Sequence, residues 1–218
     1  MFTEPLDKYL KGDNIEIYAS LKRIISYPFL IGGGAARQIF LNERLGSTDI
    51  DIYTDGYYYG KIYYWIKKNT IIASTSNSYT FNIDGLKIQL IKKIQTLNPL
   101  SLFNTYDFTC CMFAVGSNGY IYYTDLAKEH ALGKWLYIAN NENYTYSRIG
   151  KYLKKGYAPL CPISQSIFVE FVEYCNQYRV PNDKYAVFDT GRPITKEELS
   201  DKLDELFINF FGKCSEDY

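Results

Sequence analysis

The chain has 218 residues, 47% of them hydrophobic and 22% charged, and its 24 acidic side chains balance its 24 basic ones. These values are ordinary for a globular protein, and the zero net charge indicates no particular class of partner. The apolar runs are too short to span a bilayer, and the N-terminal segment has early acids and no apolar stretch, which excludes a secretory signal. We therefore expect a soluble cytoplasmic protein with no membrane partner.

Apolar periodicity and turn residues predict alternating helices and strands along the chain. The first elements expected are a helix over residues 5–26, with Gly12 as a candidate break, a strand and glycine turn over 28–34, a helix over 35–43, a strand over 47–55 and a helix over 57–69. A hairpin over 78–94, a short helix over 98–106, a second hairpin over 107–125, a helix over 125–134 and a strand over 135–141 follow. From residue 146 onward the pattern is helical, and Thr195 with Glu198 forms a capping box.

The predicted fold class is α+β. A domain built on a mixed sheet is expected over residues 1–140, and a helical region is expected over residues 141–218.

Cysteine and histidine usage limits the chemistry that the chain can perform. Five cysteines without a C-x-x-C pair predict buried, reduced thiols, and the adjacent Cys110 and Cys111 are expected on opposite faces of a strand. The single histidine, His130, argues against a histidine-based triad and against a two-histidine metal site. Any catalysis would therefore depend on carboxylates, hydroxyl groups and cations.

A glycine turn lies between the first predicted short strand and its helix, in the stretch Ile31-Gly32-Gly33-Gly34-Ala35-Ala36-Arg37. Glycine lets the backbone turn tightly and approach a phosphate without a Cβ in the way. The start of the following helix offers free N–H groups to an anion. Taken alone, such a turn is more often structural than functional.

Two acids follow on the next predicted strand, at Asp49 and Asp51. A spacing of two places both carboxylates on one face of a strand, with Ile50 and Ile52 on the other. Neighbouring carboxylates repel each other unless a cation lies between them, and oxygen ligands suit Mg²⁺ or Mn²⁺. The alternative is a solvated edge strand, but the flanking isoleucines favour a core strand.

The order of these motifs, with Arg37 twelve residues before Asp49, resembles the signature of the DNA polymerase β-like nucleotidyltransferase superfamily. Its nearest resemblance is to the head and neck of the tRNA CCA-adding enzyme and bacterial poly(A) polymerase branch. Residues 106–114 (YDFTCCMFA) resemble that branch's Arg-Asp-Phe-Thr stretch, Asp125-Leu126 its Asp-Leu segment, and residues 148–157 its neck helix.

The resemblance implies a two-metal nucleotidyl transfer. Asp49 and Asp51 would be the catalytic, metal-binding residues for Mg²⁺ or Mn²⁺, and Gly33 and Gly34 would present N–H groups to the phosphates of a nucleoside triphosphate. Arg37 would add positive charge there or form a salt bridge within the fold. Asp107 would lie near the nucleotide's sugar, or would cap the preceding turn.

Basic residues of the predicted neck helix offer a further nucleotide or RNA contact. Arg148 and Lys151, with Lys154 and Lys155, would line a phosphate or RNA groove, or would form a solvated helix face.

The chain also departs from the superfamily pattern. The third acid, which the resemblance predicts on a neighbouring strand, is replaced by Gln89, and the arginine before Asp-Phe-Thr is replaced by Tyr106. The pair that reads the incoming base is missing, since Asn141, Glu142 and Thr145 lie near its place.

The preferred function is transfer of a nucleoside monophosphate to a hydroxyl acceptor, with an RNA 3′ end as the first acceptor. The alternatives are a protein or small-molecule acceptor, and a non-catalytic protein that binds nucleotide or RNA.

Overall fold

The computed structural model describes residues 1–45, 49–67, 71–83, 85–140, 148, 151–152 and 155–159. The chain divides into two compact units, one formed by Met1–Gly133 and Ile138–Asn143 and the other by Lys134–Tyr137 and Tyr144–Tyr218. The predicted division into residues 1–140 and 141–218 stays a prediction, because most of the second range lies outside the described residues.

The first unit places helices against a single mixed sheet, which confirms the predicted α+β class. Its helical elements are a 3-10 turn at Leu6–Lys8, α1 (Asp13–Ile24), α2 (Gly33–Phe40), α3 (Gly56–Lys67), α4 (Pro99–Phe103), a 3-10 turn at Thr109–Cys111 and α5 (Asp125–Leu132). Its strands are β1 (Phe2–Pro5), β2 (Leu30–Gly32), β3 (Ile50–Tyr53), β4 (Ile71–Ser74), β5 (Ser78–Ile83), β6 (Leu86–Ile91), β7 (Phe113–Gly116) and β8 (Tyr120–Tyr123).

The described strands of this unit have the spatial order β1-β8-β7-β2-β3-β6-β5-β4. β3 and β6 run parallel, whereas the other neighbouring pairs are antiparallel. The centre of the sheet is therefore β2 and β3, the two strands that border the glycine turn and the paired acids.

The core lies between this sheet and the helices. Ile50 and Ile52 of β3 and Ile88 of β6 are fully buried together with Ala35 and Ala36 of α2. The small alanines let α2 pack closely on the strands, and burial of each large aliphatic side chain contributes roughly 1.5–3 kcal/mol to folding. The start of α2 is thus held firmly next to β3.

Three secondary-structure predictions were wrong. The helix expected over residues 5–26 begins only at Asp13, because Gly12, the candidate break, has a φ of +53°, and β1 lies before it at Phe2–Pro5. Cys110 and Cys111 lie in a 3-10 turn instead of on a strand, although both are buried free thiols as expected. The chain is not helical throughout after residue 146, because Ala158–Pro159 forms a strand.

In the second unit, β9 (Trp135–Leu136) and β10 (Ala158–Pro159) form a parallel pair. Tyr157 packs edge-on against Tyr152, and Lys134 lies 5.1 Å from the centre of the Tyr157 ring. The predicted capping box at Thr195 and Glu198 lies outside the described residues. Among the helices that the structure describes, none is long and apolar enough to cross a membrane.

Candidate active site

The glycine turn joins the central strand β2 to α2. Gly32 is extended, with φ −118° and ψ 166°. Gly33 has a φ of +63°, a backbone conformation that residues other than glycine rarely adopt. Gly33 is the first residue of α2 and Gly34 the second, so their N–H groups belong to the unpaired first turn of a helix. The geometry here suits an anion.

Two tyrosine side chains cover Gly32. A Cβ built on Gly32 would lie 2.6 Å from Cε2 of Tyr53 and even closer to the Tyr106 hydroxyl oxygen. Tyr53 and Tyr106 are both buried, so neither ring has free space to move into. The extended backbone at Gly32 would accept any residue. The restriction to glycine therefore comes from the two tyrosine rings.

Asp51 lies directly beside the glycine turn. In the register of the sheet its antiparallel partner on β2 is Gly32, and its parallel partner on β6 is Gln89. Side chains of register partners point to the same face of a sheet. Asp51 is half-buried, while Ile50 and Ile52 on either side of it are fully buried on the opposite face.

Asp49 occupies the same face, one position before β3 begins. Gln89 Nε2 donates a hydrogen bond to Asp49 Oδ2 at 2.7 Å, which joins Asp49 to the register partner of Asp51. Lys87 Nζ forms an ion pair with Asp49 Oδ1 at 2.9 Å. One face of β2, β3 and β6 thus brings together Gly32, Asp49, Asp51, Lys87 and Gln89.

The Tyr106 hydroxyl is buried next to these groups and has no hydrogen-bond partner among the described residues. Burial raises the pKa of Tyr106 well above its usual value, and the neighbouring Tyr53 and the Asp51 carboxylate raise it further. Tyr106 therefore stays protonated at physiological pH and keeps a hydrogen to donate.

Arg37 lies inside the fold. It is 2% exposed, and its guanidinium interacts with the Cys110 thiol. Burial and the adjacent Cys111 raise the pKa of Cys110, and Arg37 opposes that shift. Of the two roles predicted for Arg37, this placement fits an internal structural role, and a nucleotide contact stays a prediction.

The other nucleotide-contact candidates are Asp107, Arg148 and Lys151. Asp107 is buried, its Oδ1 accepts a hydrogen bond from Phe108 N at 3.1 Å, and its carbonyl accepts one from Ala139 N at 2.7 Å. Arg148 is helical and half-buried, and Lys151 is helical and exposed, both in the second unit. Their roles in nucleotide binding stay predictions.

The residues present fit a divalent cation that shares its ligands with a substrate. The described residues contain no group of three or more histidine, cysteine, aspartate or glutamate side chains placed to hold a metal ion. Mg²⁺ commonly takes only one or two protein carboxylates and completes its shell with water and substrate phosphates. Asp49 and Asp51, at i and i+2 beside the glycine turn, supply that kind of donor set.

Sequence reasoning missed one member of this face, Lys87, and the packing of Tyr106 over Gly32. Lys87 is two residues before Gln89 on a strand, so alternation alone could have placed it on the same face. No local signal could have placed Tyr106 over Gly32, because 74 residues separate the two in the sequence.

Sequence comparison finds a matching family and a relative of low sequence identity. Residues 1–134 match the Gabija anti-defense 2 family. A protein of Bacillus phage SPbetaL7 named "Gabija anti-defense 2" is 25% identical over 207 residues, which is 93% of this chain and 47% of that protein. The chain thus spans about half the length of this relative.

Structure comparison finds tRNA-processing enzymes. A Thermotoga maritima CCA-adding enzyme complexed with tRNA_CCA has a TM-score of 0.63 at 10% identity, covering 95% of this chain and 55% of that enzyme. A CCA-adding enzyme in complex with CTP has a TM-score of 0.59 at 12% identity, covering 95% and 50%. The chain therefore has the DNA polymerase β-like nucleotidyltransferase fold, which confirms the resemblance found in the sequence.

Proposed function

The chain belongs to the Gabija anti-defense 2 family, and from this membership, its fold and its site we propose that it is a divalent-cation-dependent nucleotidyltransferase. It transfers a nucleoside monophosphate from a nucleoside triphosphate to a hydroxyl acceptor. The observation on which the proposal depends is the register of β2 and β3, in which Gly32 and Asp51 are partners and Asp49 shares their face.

The chain's own residues position the triphosphate. The N–H groups at Gly33 and Gly34 face the phosphates at the first turn of α2, where the helix dipole favours negative charge. Asp49 and Asp51 would hold Mg²⁺ or Mn²⁺, and a divalent cation bound there would supply positive charge and Lewis-acid chemistry to the transfer.

The bond changes follow from this arrangement. The acceptor oxygen forms a bond to the α-phosphorus, the bond from that phosphorus to the α–β bridging oxygen breaks, and pyrophosphate leaves. The hydroxyl proton passes to solvent.

An RNA 3′ end is the first acceptor that we propose. The Thermotoga maritima neighbour was solved in complex with tRNA_CCA. A protein side chain is the second acceptor that we propose. The phage relative is named for an anti-defence function. We propose the same anti-defence role for this chain.

A non-catalytic nucleotide-binding protein is the second candidate function. Gln89 favours it, because this amide stands beside Asp51 where the resemblance predicts a third acid and adds no negative charge. A neutral amide can ligate a hard cation, but it attracts the cation less strongly than a carboxylate.

Transfer of the α-phosphate distinguishes these candidates. The full chain is incubated with each α-³²P-labelled triphosphate, Mg²⁺ or Mn²⁺, and either RNA or the proteins of a susceptible bacterium. We expect label on one acceptor class with the α-labelled substrate and none with a γ-labelled one. Asp49→Asn and Asp51→Asn should abolish the labelling. Asp55→Asn is the matched control, since Asp55 caps the backbone of Tyr58 instead of joining the site and asparagine keeps that acceptor.

Each result has a defined meaning. Label on RNA supports the first acceptor, and label on protein supports the second. Nucleotide binding without labelling of any acceptor supports the non-catalytic candidate and refutes transfer. Labelling that survives both aspartate substitutions, or the absence of nucleotide binding, contradicts the proposed site.

A further inference from the structure

Lys87 places a positive charge beside the paired acids. It lies on β6, two residues before Gln89, so it projects to the face that holds Asp49 and Asp51. Its Nζ is 2.9 Å from Asp49 Oδ1, and the side chains of Lys87 and Asp49 are 55% and 37% exposed. On the strand where the resemblance predicts a third acid, the chain therefore has a positively charged lysine and, two residues later, a neutral amide.

Both carboxylate oxygens of Asp49 are engaged. Lys87 pairs with Oδ1, and Gln89 Nε2 donates to Oδ2 at 2.7 Å. A cation that binds Asp49 therefore shares its carboxylate oxygens with these two donors or displaces one of them. The ammonium of Lys87 is the one that opposes the cation electrostatically, because the amide of Gln89 is neutral and can rotate to offer its oxygen.

We propose that Lys87 is the resident counter-ion of Asp49 and competes with the divalent cation, so that the cation binds weakly alone and tightly only together with a triphosphate. This inference rests on the proposed function, since it assigns the cation to Asp49. The phosphate oxygens of a triphosphate can ligate the cation, and their negative charge can also neutralise the displaced ammonium of Lys87. Lys87 thus couples cation binding to substrate binding.

The expected size of the effect follows from the exposure of the pair. An ion pair between partly exposed side chains is stabilising by a modest amount, so its loss should tighten cation binding to the nucleotide-free chain by roughly two- to fivefold. High salt screens the pair and should reduce the difference between variants.

Titration calorimetry with Mn²⁺ alone, on the full chain without nucleotide, tests the proposal. We expect Lys87→Met and Lys87→Gln to bind Mn²⁺ about two- to fivefold more tightly than the unmodified chain. Lys87→Arg, which keeps the charge, should bind as the unmodified chain does. Lys8→Met is the matched control, because Lys8 also pairs with a carboxylate, Glu4, at 3.5 Å. Unfolding midpoints of all variants verify that they fold.

Equal Mn²⁺ affinity in the unmodified chain and in both neutral variants would overturn the inference, as would an equal gain in Lys8→Met. The result is separable from that of the proposed function. Tighter Mn²⁺ binding in the neutral variants without any nucleotidyl transfer supports the counter-ion role and refutes catalysis. Transfer by the unmodified chain, with no change of Mn²⁺ affinity in the variants, supports catalysis and refutes the counter-ion role.

Discussion

Substitution of Gly32 by alanine should destabilise the fold through a steric clash that Tyr106→Phe partly relieves. The new Cβ would lie 2.6 Å from Tyr53 Cε2 and within clashing distance of the Tyr106 hydroxyl, both in buried rings. Overpacking of this kind costs about 1–3 kcal/mol of unfolding free energy. Tyr106→Phe removes one of the two clashing atoms, so the double variant should recover about 1 kcal/mol of that loss.

Tyr106→Phe alone should leave the stability unchanged or raise it. The hydroxyl is fully buried beside Tyr53, so its removal deletes a desolvated polar group and loses at most its interaction with the Tyr53 side chain. Gly33→Ala is the matched control for the alanine substitution. Its Cβ would have ordinary contacts at 3.7 Å, but the φ of +63° would cost about 1–2 kcal/mol through backbone strain.

Urea denaturation of the single and double variants measures these free energies in a double-mutant cycle. We expect a coupling of about 1 kcal/mol between Gly32→Ala and Tyr106→Phe, and near-additive effects for Gly33→Ala with Tyr106→Phe. The reasoning fails if Gly32→Ala is as stable as the unmodified chain, or if Tyr106→Phe relieves both alanine substitutions equally.

Two further predictions concern stability. Burial lowers the pKa of His130, whose ring Nδ1 contacts Thr109 Oγ1 at 2.6 Å, and Glu129 opposes the shift. The unfolded chain therefore takes up the proton first, so the stabilising contribution is complete above the usual histidine pKa of about 6.5 and is lost as the pH falls through the folded pKa. Urea midpoints measured between about pH 5 and pH 8 should fall toward the acid end of this range, and the fall should be smaller in His130→Gln. A pH profile of His130→Gln identical to that of the unmodified chain would contradict the assignment. Thr124→Ala should cost about 1 kcal/mol, because the Thr124 hydroxyl accepts from Ala127 N at the start of α5, whereas Thr124→Ser should not; equal urea midpoints for the two variants would refute this.

The centre of the fold could be predicted because its signals are local. Glycines followed by a helical pattern identified β2 and α2, and alternation of acids with isoleucines identified β3. Asp84-Gly85 marked the turn between β5 and β6, and Gly85 has a φ of +80°, as such a turn requires.

The edges of the sheet could not be predicted in this way. β1 is short and contains Pro5, and its pairing partner is β8, with Phe2 opposite Tyr123. Such a strand is specified by a partner more than a hundred residues away rather than by its own periodicity. The predicted helix over residues 5–26 was too long for a different reason, since Leu6–Lys8 forms a 3-10 turn and Gly12, with a φ of +53°, precedes α1.

The sequence predicted only some of the residues that form the candidate site. The i, i+2 spacing placed Asp49 and Asp51 on one face, but the ion pair between Lys87 and Asp49 depends on the parallel register of β3 and β6. Likewise, the packing of Tyr106 over Gly32 depends on tertiary structure. These two contacts distinguish this chain's site from the pattern that the resemblance implies.

A crystal structure of the full chain with Mn²⁺ and a non-hydrolysable nucleoside triphosphate would be the most direct test. We predict an anomalous peak roughly 2–2.6 Å from oxygens of both Asp49 and Asp51, with the triphosphate against the N–H groups of Gly33 and Gly34. A triphosphate bound elsewhere, or a bound triphosphate with both carboxylates still paired only to protein groups, would contradict the proposed site.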